Sequence, residues 1–169
     1  MAVNTELFTD LLLATRTMTI ATTGASGAWS APVYFLFHQD CFYFFSSAAS
    51  RHIEEALSNG ACAVSLFSED GDWRHIRGLQ MCGSIAAAPY TAPTSAVLAR
   101  YTEKFPTVAS LFPDSLRDLE TFSEKSHTWL YRFQPSQVLL VDNAAGFGSR
   151  REIDPGSLEA APSSRRTAA

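Results

Sequence analysis

The chain has 169 residues, 46% of them hydrophobic and 18% charged, with a formal net charge of −4 at pH 7. These values suit one globular domain with a proper core, and the acidic balance argues against a nucleic-acid binder, which carries a basic stripe. No apolar run approaches the roughly 18 residues of a membrane span, and Glu6 and Asp10 stand where a secretory signal needs positive charge. We therefore expect a cytoplasmic protein with no nucleic-acid or membrane partner.

The first half of the chain predicts one helix followed by a meander. Leu7, Phe8, Leu11 and Leu12 recur at helical spacing after a capping residue at position 4 or 5. Three strands rich in β-formers then follow, over residues 17–23, 28–38 and 41–47, separated by the turn signals GASG and HQD. Three antiparallel strands are the simplest arrangement of this pattern.

The second half begins with an amphipathic helix from Arg51, which Asn59-Gly60 ends. A strand over residues 61–67 and a longer one over 74–88 follow, and the glycines of the second suggest bulges or close backbone approach. Residues 91–123 predict a helical insertion interrupted by prolines 106 and 113. Residues 127–142 predict a hairpin around Gln134-Pro135-Ser136, followed by a loop that contains a tight turn at residues 146–148.

Several short strands with helices at the edges favour a small β-barrel or a strongly curled antiparallel sheet over a β-α-β fold. We assign residues 1–153 to one domain and predict a disordered tail over residues 154–169, which are rich in Pro, Ser and Ala. Cys41, Cys62 and Cys82 are an odd number without C-x-x-C spacing, so we interpret them as small core residues.

The stretch FYFFSSAASRHIEEAL, residues 42–57, carries the most specific chemistry in the chain. A helix amino terminus exposes unpaired N–H groups and a partial positive charge, which attract phosphate. The serines before the helix and the two basic residues in its first turn could form a phosphate cradle. Alternatively, Ser50 is only a helix cap, and Arg51 pairs with the glutamates one turn further on.

Over a longer span the chain resembles the flavin-binding split-barrel superfamily, which includes the pyridoxamine 5'-phosphate oxidase-like proteins. The resemblance is carried by the order of three segments: residues 18–37 (MTIATTGASGAWSAPVYFLF), 42–67 (FYFFSSAASRHIEEALSNGACAVSLF) and 76–85 (IRGLQMCGSI). KFPTVASLF and VDNAAGFGSRREI further resemble one small bacterial branch of that superfamily.

The resemblance implies a mainly β, Greek-key split barrel of about six to seven antiparallel strands with peripheral helices. It also implies a homodimer that binds one flavin mononucleotide (FMN) in each of two sites at the subunit interface. Carried over by position, the second strand runs beside the isoalloxazine ring, the start of the helix holds the phosphate, and a glutamine on the glycine-bearing strand reaches the flavin or its phosphate. The implied cofactor residues are Pro32, Val33, Tyr34, Phe35, Ser46, Ser47, Ser50, Arg51, His52 and Gln80.

The resemblance suggests a flavin-dependent oxidoreductase that acts on a small substrate, with no side chain assigned as a catalytic acid or base. Oxidases of the vitamin B6 type have Arg and Lys where this chain has Tyr34 and Phe37, and a second basic residue where it has His52. Their substrate-binding Arg and His pattern is replaced here by NAAGFGSRRE, so true pyridoxamine phosphate oxidase activity is not expected.

Two alternatives to an FMN enzyme stay open. One is a non-enzymatic storage or sensor protein for flavin or haem, in the haem case with a histidine such as His75 as axial ligand. The other is the deazaflavin F420 as cofactor. The four histidines show no ligand spacing, so we expect no metal site.

Overall fold

The computed structural model describes residues 5–68, 72–88, 91–111 and 119–156. It contains five helices and eight strands in those ranges. The helices are α1 (Thr5–Ala14), α2 (Arg51–Asn59), α3 (Ala92–Lys104), α4 (Pro106–Leu111) and α5 (Leu119–Ser126). The strands are β1 (Thr17–Gly24), β2 (Gly27–Tyr34), β3 (Leu36–His38), β4 (Cys41–Ser46), β5 (Cys62–Phe67), β6 (Arg77–Ala87), β7 (Trp129–Asp142) and β8 (Arg150–Ile153).

All eight strands belong to one antiparallel sheet, in the order β2-β1-β5-β6-β7-β4-β3, with β8 paired to β7. The two ends of this path, β2 and β3, are consecutive in the chain and are joined by the single residue Phe35. The sheet therefore curls until its ends meet at that residue. This arrangement confirms the predicted mainly β fold, an antiparallel barrel with peripheral helices.

The barrel interior is filled by large apolar side chains that alternate with outward-facing residues along each strand. Phe35, Phe42, Phe44 and Phe133 are completely buried there. Helices α1 and α2 cover the barrel ends with Phe8, Leu11, Ile53 and Ala56, which join the same cluster. A Phe side chain contributes roughly 1.5 to 3 kcal/mol when it is fully buried, so this cluster is the main source of stability.

A second apolar cluster lies outside the barrel, where the predicted helical insertion packs on β4. Tyr43 of β4 and Leu130 of β7 face outward there and contact Val97 and Leu98 of α3 and Phe122 of α5. Strand β4 is consequently buried on both faces. Pro106 is the first residue of α4, where proline is tolerated, whereas Pro113 lies outside the described residues.

The predicted hairpin around Gln134-Pro135-Ser136 is wrong. These residues lie within β7, which runs without a turn from Trp129 to Asp142. On the edge of β7 that faces β4 and β8, pairing with β4 ends at Phe133 and pairing with β8 begins at Val138. Pro135 lies between these two points and is tolerated because neither strand needs a backbone hydrogen bond from it. The register of the β6–β7 pair shifts between Cys82 and Gly83, where Ser136 of β7 is the extra residue, so the irregularity lies beside Gly83 but on the neighbouring strand.

Gly60 ends α2 in the left-handed conformation, at φ 71°, as predicted. The tight turn is present, with Ser149 N–H donating to Gly146 O at 2.9 Å, but the sequence did not predict β8 behind it. Cys41 and Cys62 are buried as expected, whereas Cys82 is exposed, because it points outward from β6. Most of the predicted tail, residues 157–169, lies outside the described residues.

Candidate functional site

A cavity of about 440 Å³ lies between the end of β2, the end of β4 and the start of α2. Helix α3 forms its remaining wall. Its lining is neutral, with apolar and aromatic surface next to a small group of hydroxyl and imidazole groups. The lining residues are Thr17, Pro32, Val33, Tyr34, Phe45, Ser46, His52 and Tyr101. Five of these are predicted cofactor residues, so the structure brings half of the predicted set around one cavity.

Ser46 and His52 form a buried polar pair at this cavity. Ser46 Oγ and His52 Nε2 share a hydrogen bond of 3.0 Å, and Ser46 Oγ also donates to Ser50 Oγ at 3.3 Å. Ser46 and His52 are 7% and 8% exposed. Burial lowers the pKa of His52 below its ordinary value, so the imidazole is neutral at pH 7. The pair therefore offers hydrogen bonds but no charge.

The amino terminus of α2 adds backbone donors to the same corner. Ser50 occupies the cap position, but its side chain does not bond a backbone N–H of the helix. Its carbonyl accepts the N–H groups of Ile53 and Glu54. The N–H groups of Arg51 and His52 have no intrahelical partner, as expected for the first turn of a helix. These two N–H groups, together with the Ser50 hydroxyl, whose proton is not used in its bond with Ser46, are suited to an oxyanion.

Arg51 lies beside this corner but does not line the cavity. Its Nε donates to Glu55 Oε1 at 2.7 Å, one Nη donates to Gly27 O at 2.9 Å, and its guanidinium carbon lies 4.8 Å from the centre of the Trp29 ring. The hydrogen bond from Thr22, followed by that from Arg51, lowers the pKa of Glu55. Of the alternatives left open by the sequence, pairing with a glutamate one turn along is the one that the structure shows.

The other predicted residues occupy different surroundings. Phe35 is completely buried in the barrel core, and its backbone N–H donates to Arg16 O at 3.2 Å. Ser47 takes part in the turn before α2. Gln80 lies on the outer face of β6, where its side-chain oxygen accepts from Arg150 Nε at 3.1 Å. Gln80 therefore does not reach the cavity within one chain.

Gln80 belongs to a second hollow, of about 290 Å³, on the outer face of the sheet. Strands β1, β5, β6 and β7 form its floor. Its lining residues are all uncharged: Thr19, Ala21, Ala63, Val64, Ser65, Gln80, Met81, Cys82, Gln137 and Leu139. Interface cores are depleted in charged residues in this way. The charged side chains of Arg150 and Glu152 in β8 bond Gln80 and Gln137 from outside this lining.

Tyr101 is a cavity residue that the sequence analysis missed. It lies on α3, and its hydroxyl donates to Tyr34 O at 3.4 Å, across 67 residues of sequence. Burial raises the pKa of Tyr101, so the phenol stays protonated. The local sequence around Tyr101 looks like an ordinary amphipathic helix, and nothing in it indicates which strand it packs on.

Lys104, one turn after Tyr101, lies behind the cavity wall. Its Nζ is 4.1 Å from the centre of the Phe35 ring and donates to Leu12 O at 3.2 Å. Burial, with a smaller contribution from Arg16, lowers the pKa of Lys104 to about 8. The ammonium therefore links α3 to the end of α1.

Within the residues that the structure describes, no group of three or more His, Cys, Asp or Glu side chains is arranged to hold a metal ion. In the same ranges, no helix is both long and apolar enough to cross a membrane. Neither observation bears on the cavity, whose polar groups are hydroxyl, imidazole and amide donors.

No model of a known protein family matches the sequence, and no curated protein sequence matches it. Solved structures do match. A haem-binding protein from Mycobacterium smegmatis superimposes with a TM-score of 0.71 at 14% identity, over 95% of this chain and 61% of its own. The haem storage protein HutZ from Vibrio cholerae superimposes with a TM-score of 0.63 at 17% identity, over 82% of this chain and 94% of its own. An FAD-binding protein from Mesorhizobium loti superimposes with a TM-score of 0.59 at 15% identity, over 80% of this chain and 90% of its own.

These similarities define the fold. The chain has the split-barrel architecture found in haem-binding and flavin-binding proteins, and the resemblance drawn from its sequence is confirmed at the level of fold. At such low identities the ligand of one protein does not transfer to another, because function depends on the residues of each site.

Proposed function

We propose that this chain is a flavin-binding protein that holds FMN in the cavity between β2, β4 and α2, and that it acts as a flavin-dependent oxidoreductase on a small substrate. The observation that carries the proposal is the cavity itself. Its volume of about 440 Å³ is within the range of ligand sites, and most of its lining is apolar or aromatic. The flavin would supply the electron chemistry, and the protein would supply position and exclusion of water.

The residues present fit such a ligand. Val33 and Phe45 offer apolar surface to a planar ring, and the backbone of β2 from Pro32 to Tyr34 lies beside it. Ser46 and His52 line the same cavity beside the start of α2, whose first N–H groups suit the phosphate. The lining thus combines apolar surface with a group of donors, as an amphipathic cofactor requires.

We further propose that the protein is a homodimer with the cofactor at the subunit interface. Gln80, which the resemblance assigns to the cofactor, lines the hollow on the outer face of the sheet and not the cavity. Thr17 lines the cavity, and Thr19 and Ala21 on the same face of β1 line the hollow, so a second copy packed on this face would lie next to the cavity with its own Gln80. Analytical ultracentrifugation should therefore show a dimer, and Ala63→Glu, which introduces a charge into this face, should shift it towards monomer. A monomeric wild-type protein would contradict the homodimer.

The flavin assignment is tested by titration with FMN, followed through quenching of flavin fluorescence. Thr17 is exposed at the cavity, so Thr17→Trp should block the entrance and abolish saturable binding. The control is Thr23→Trp, because Thr23 is also exposed on β1 but lies away from the cavity. Equal binding by both variants would show that the flavin binds elsewhere. Oxidation of reduced nicotinamides by the loaded protein would distinguish an enzyme from a storage protein.

A haem-binding storage or sensor protein is the second candidate. It is favoured by the fold shared with two haem proteins and by His52, the one imidazole that lines the cavity. His75, the ligand suggested by the sequence, is exposed in the short helical turn before β6 and does not line the cavity. A Soret band that is lost in His52→Ala, with no saturable flavin binding, would favour haem. The deazaflavin remains the least suited cofactor, since it would require a more basic channel.

A further inference from the structure

The carboxylate of Glu55 is held in place from two sides. Its Oε1 accepts from Arg51 Nε at 2.7 Å, and its Oε2 accepts from Thr22 Oγ1 at 2.6 Å. Thr22 is only 6% exposed and lies on β1, in the barrel wall. The Glu55 side chain is itself 13% exposed. Such charge-assisted hydrogen bonds are about twice as strong as neutral ones, so the carboxylate competes effectively for Arg51.

The same contacts turn Arg51 towards the β1–β2 turn and away from the cavity. Its second donor bonds Gly27 O, and its guanidinium lies over the Trp29 ring. The cavity lining consists of neutral side chains, with His52 neutral because of its burial. The one cation of the first turn of α2 is therefore already neutralised before a ligand arrives.

We propose that Glu55 sets the charge preference of the cavity by competing with the anionic group of the ligand for Arg51. This inference rests on the proposed flavin site. A phosphate can pair with Arg51 only if the pair between Arg51 and the fixed Glu55 carboxylate breaks. The free energy lost with that pair offsets most of the electrostatic free energy that the phosphate gains from Arg51. A flavin without a phosphate loses nothing from this competition. The natural chain should therefore favour FMN over riboflavin only by the hydrogen bonds that the phosphate accepts from the first N–H groups of α2 and the Ser50 hydroxyl, with no added gain from Arg51.

The test compares FMN and riboflavin titrations of the full chain at one fixed ionic strength. In the wild type FMN should bind more tightly than riboflavin by no more than about tenfold, the order of one net hydrogen bond. Glu55→Gln should raise the affinity for FMN about tenfold, the order of one charge-assisted hydrogen bond, and should leave that for riboflavin unchanged. Glu54→Gln, which removes the same charge from the exposed face of α2, should change neither affinity.

A second variant moves Glu55 without removing its charge. A Cβ on Gly24 would overlap the Glu55 carboxylate, which is the far end of a flexible side chain and can shift without moving the backbone. Gly24→Ala should therefore loosen the pair with Arg51 and raise the affinity for FMN over riboflavin in the same direction as Glu55→Gln. This variant keeps the inference testable if Glu55→Gln fails to fold.

Each outcome has one meaning. If FMN binds more weakly to Glu55→Gln than to the wild type, Glu55 positions Arg51 for the phosphate and does not compete with it. If both flavins bind but their affinity ratio is the same in Glu55→Gln and the wild type, the inference is overturned and the flavin site stands. If neither flavin binds any variant, the proposed function is overturned, and this inference with it.

Discussion

Ser46→Ala tests whether the buried polar pair holds the site together. The substitution removes the hydroxyl that lies 3.0 Å from His52 Nε2, while both residues are more than nine-tenths buried. A buried polar group left without its partner costs about 1 to 3 kcal/mol. Because His52 lines the cavity, water can reach its imidazole and replace part of the lost bond. We therefore expect the free energy of unfolding to fall by about 1 to 1.5 kcal/mol, the lower part of that range.

The assay is urea unfolding, followed by tryptophan fluorescence, of the wild type, Ser46→Ala, His52→Phe and the double variant. His52→Phe replaces the imidazole with an apolar ring, so Ser46→Ala should cost much less in that background than in the wild type. The cycle should give an interaction energy of about 1 kcal/mol, above the additivity limit of about 0.5 kcal/mol for independent sites. Additive single effects would refute the argument, because they would show that the hydroxyl does not hold the imidazole.

Two further predictions concern stability. The pKa of His52 is lowered on folding, so near that pKa the folded chain binds fewer protons than the unfolded chain. The contribution of the neutral imidazole to the free energy of unfolding is therefore complete above the unfolded pKa of about 6.5, and it is lost as the pH falls below that value. Urea midpoints should therefore fall less steeply below that pH in His52→Phe than in the wild type, and parallel curves would contradict the assignment. Gly83→Ala should cost at least about 2 kcal/mol, because its Cβ would lie 2.8 Å from two atoms of the buried Phe133 ring and overlap Gln134 O. Gly156→Ala is the control for that loss, because its Cβ would lie 3.6 Å from the nearest atom, Asp154 Oδ1, which is an ordinary contact distance.

The strand pattern was predictable because runs of β-branched and aromatic residues bounded by turn signals are themselves typical of strands. The hairpin predicted at residues 134–136 was wrong because Gln-Pro-Ser marks a hairpin turn only where the two flanking segments pair with each other. Here β7 exchanges one neighbour, β4, for another, β8, and Pro135 lies in the gap between them. Strand β8 follows a loop and is four residues long, too short to show a period of its own.

The site was predictable only where it is built from neighbouring residues in the chain. Ser46 and His52 are six residues apart and were found together, although the hydrogen bond between them was not foreseen. The orientation of Arg51 depends on Glu55, one helical turn away, and also on Gly27, which lies 24 residues earlier. The spacing of residues along α2 suggests the contact with Glu55, but it carries no information about the contact with Gly27. Tyr101 depends wholly on tertiary packing.

The position of Tyr101 links the cavity to the helical insertion. Its ring packs on Phe45 and Phe105, and its hydroxyl reaches the backbone of β2, so one wall of the cavity belongs to α3 and the opposite wall to the barrel. Lys104 anchors the end of the same helix to α1. A ligand in the cavity would contact both walls, and its binding free energy would be added to the stability of the folded insertion. The insertion is therefore part of the site, and its packing on β4 holds the cavity in shape before any ligand arrives.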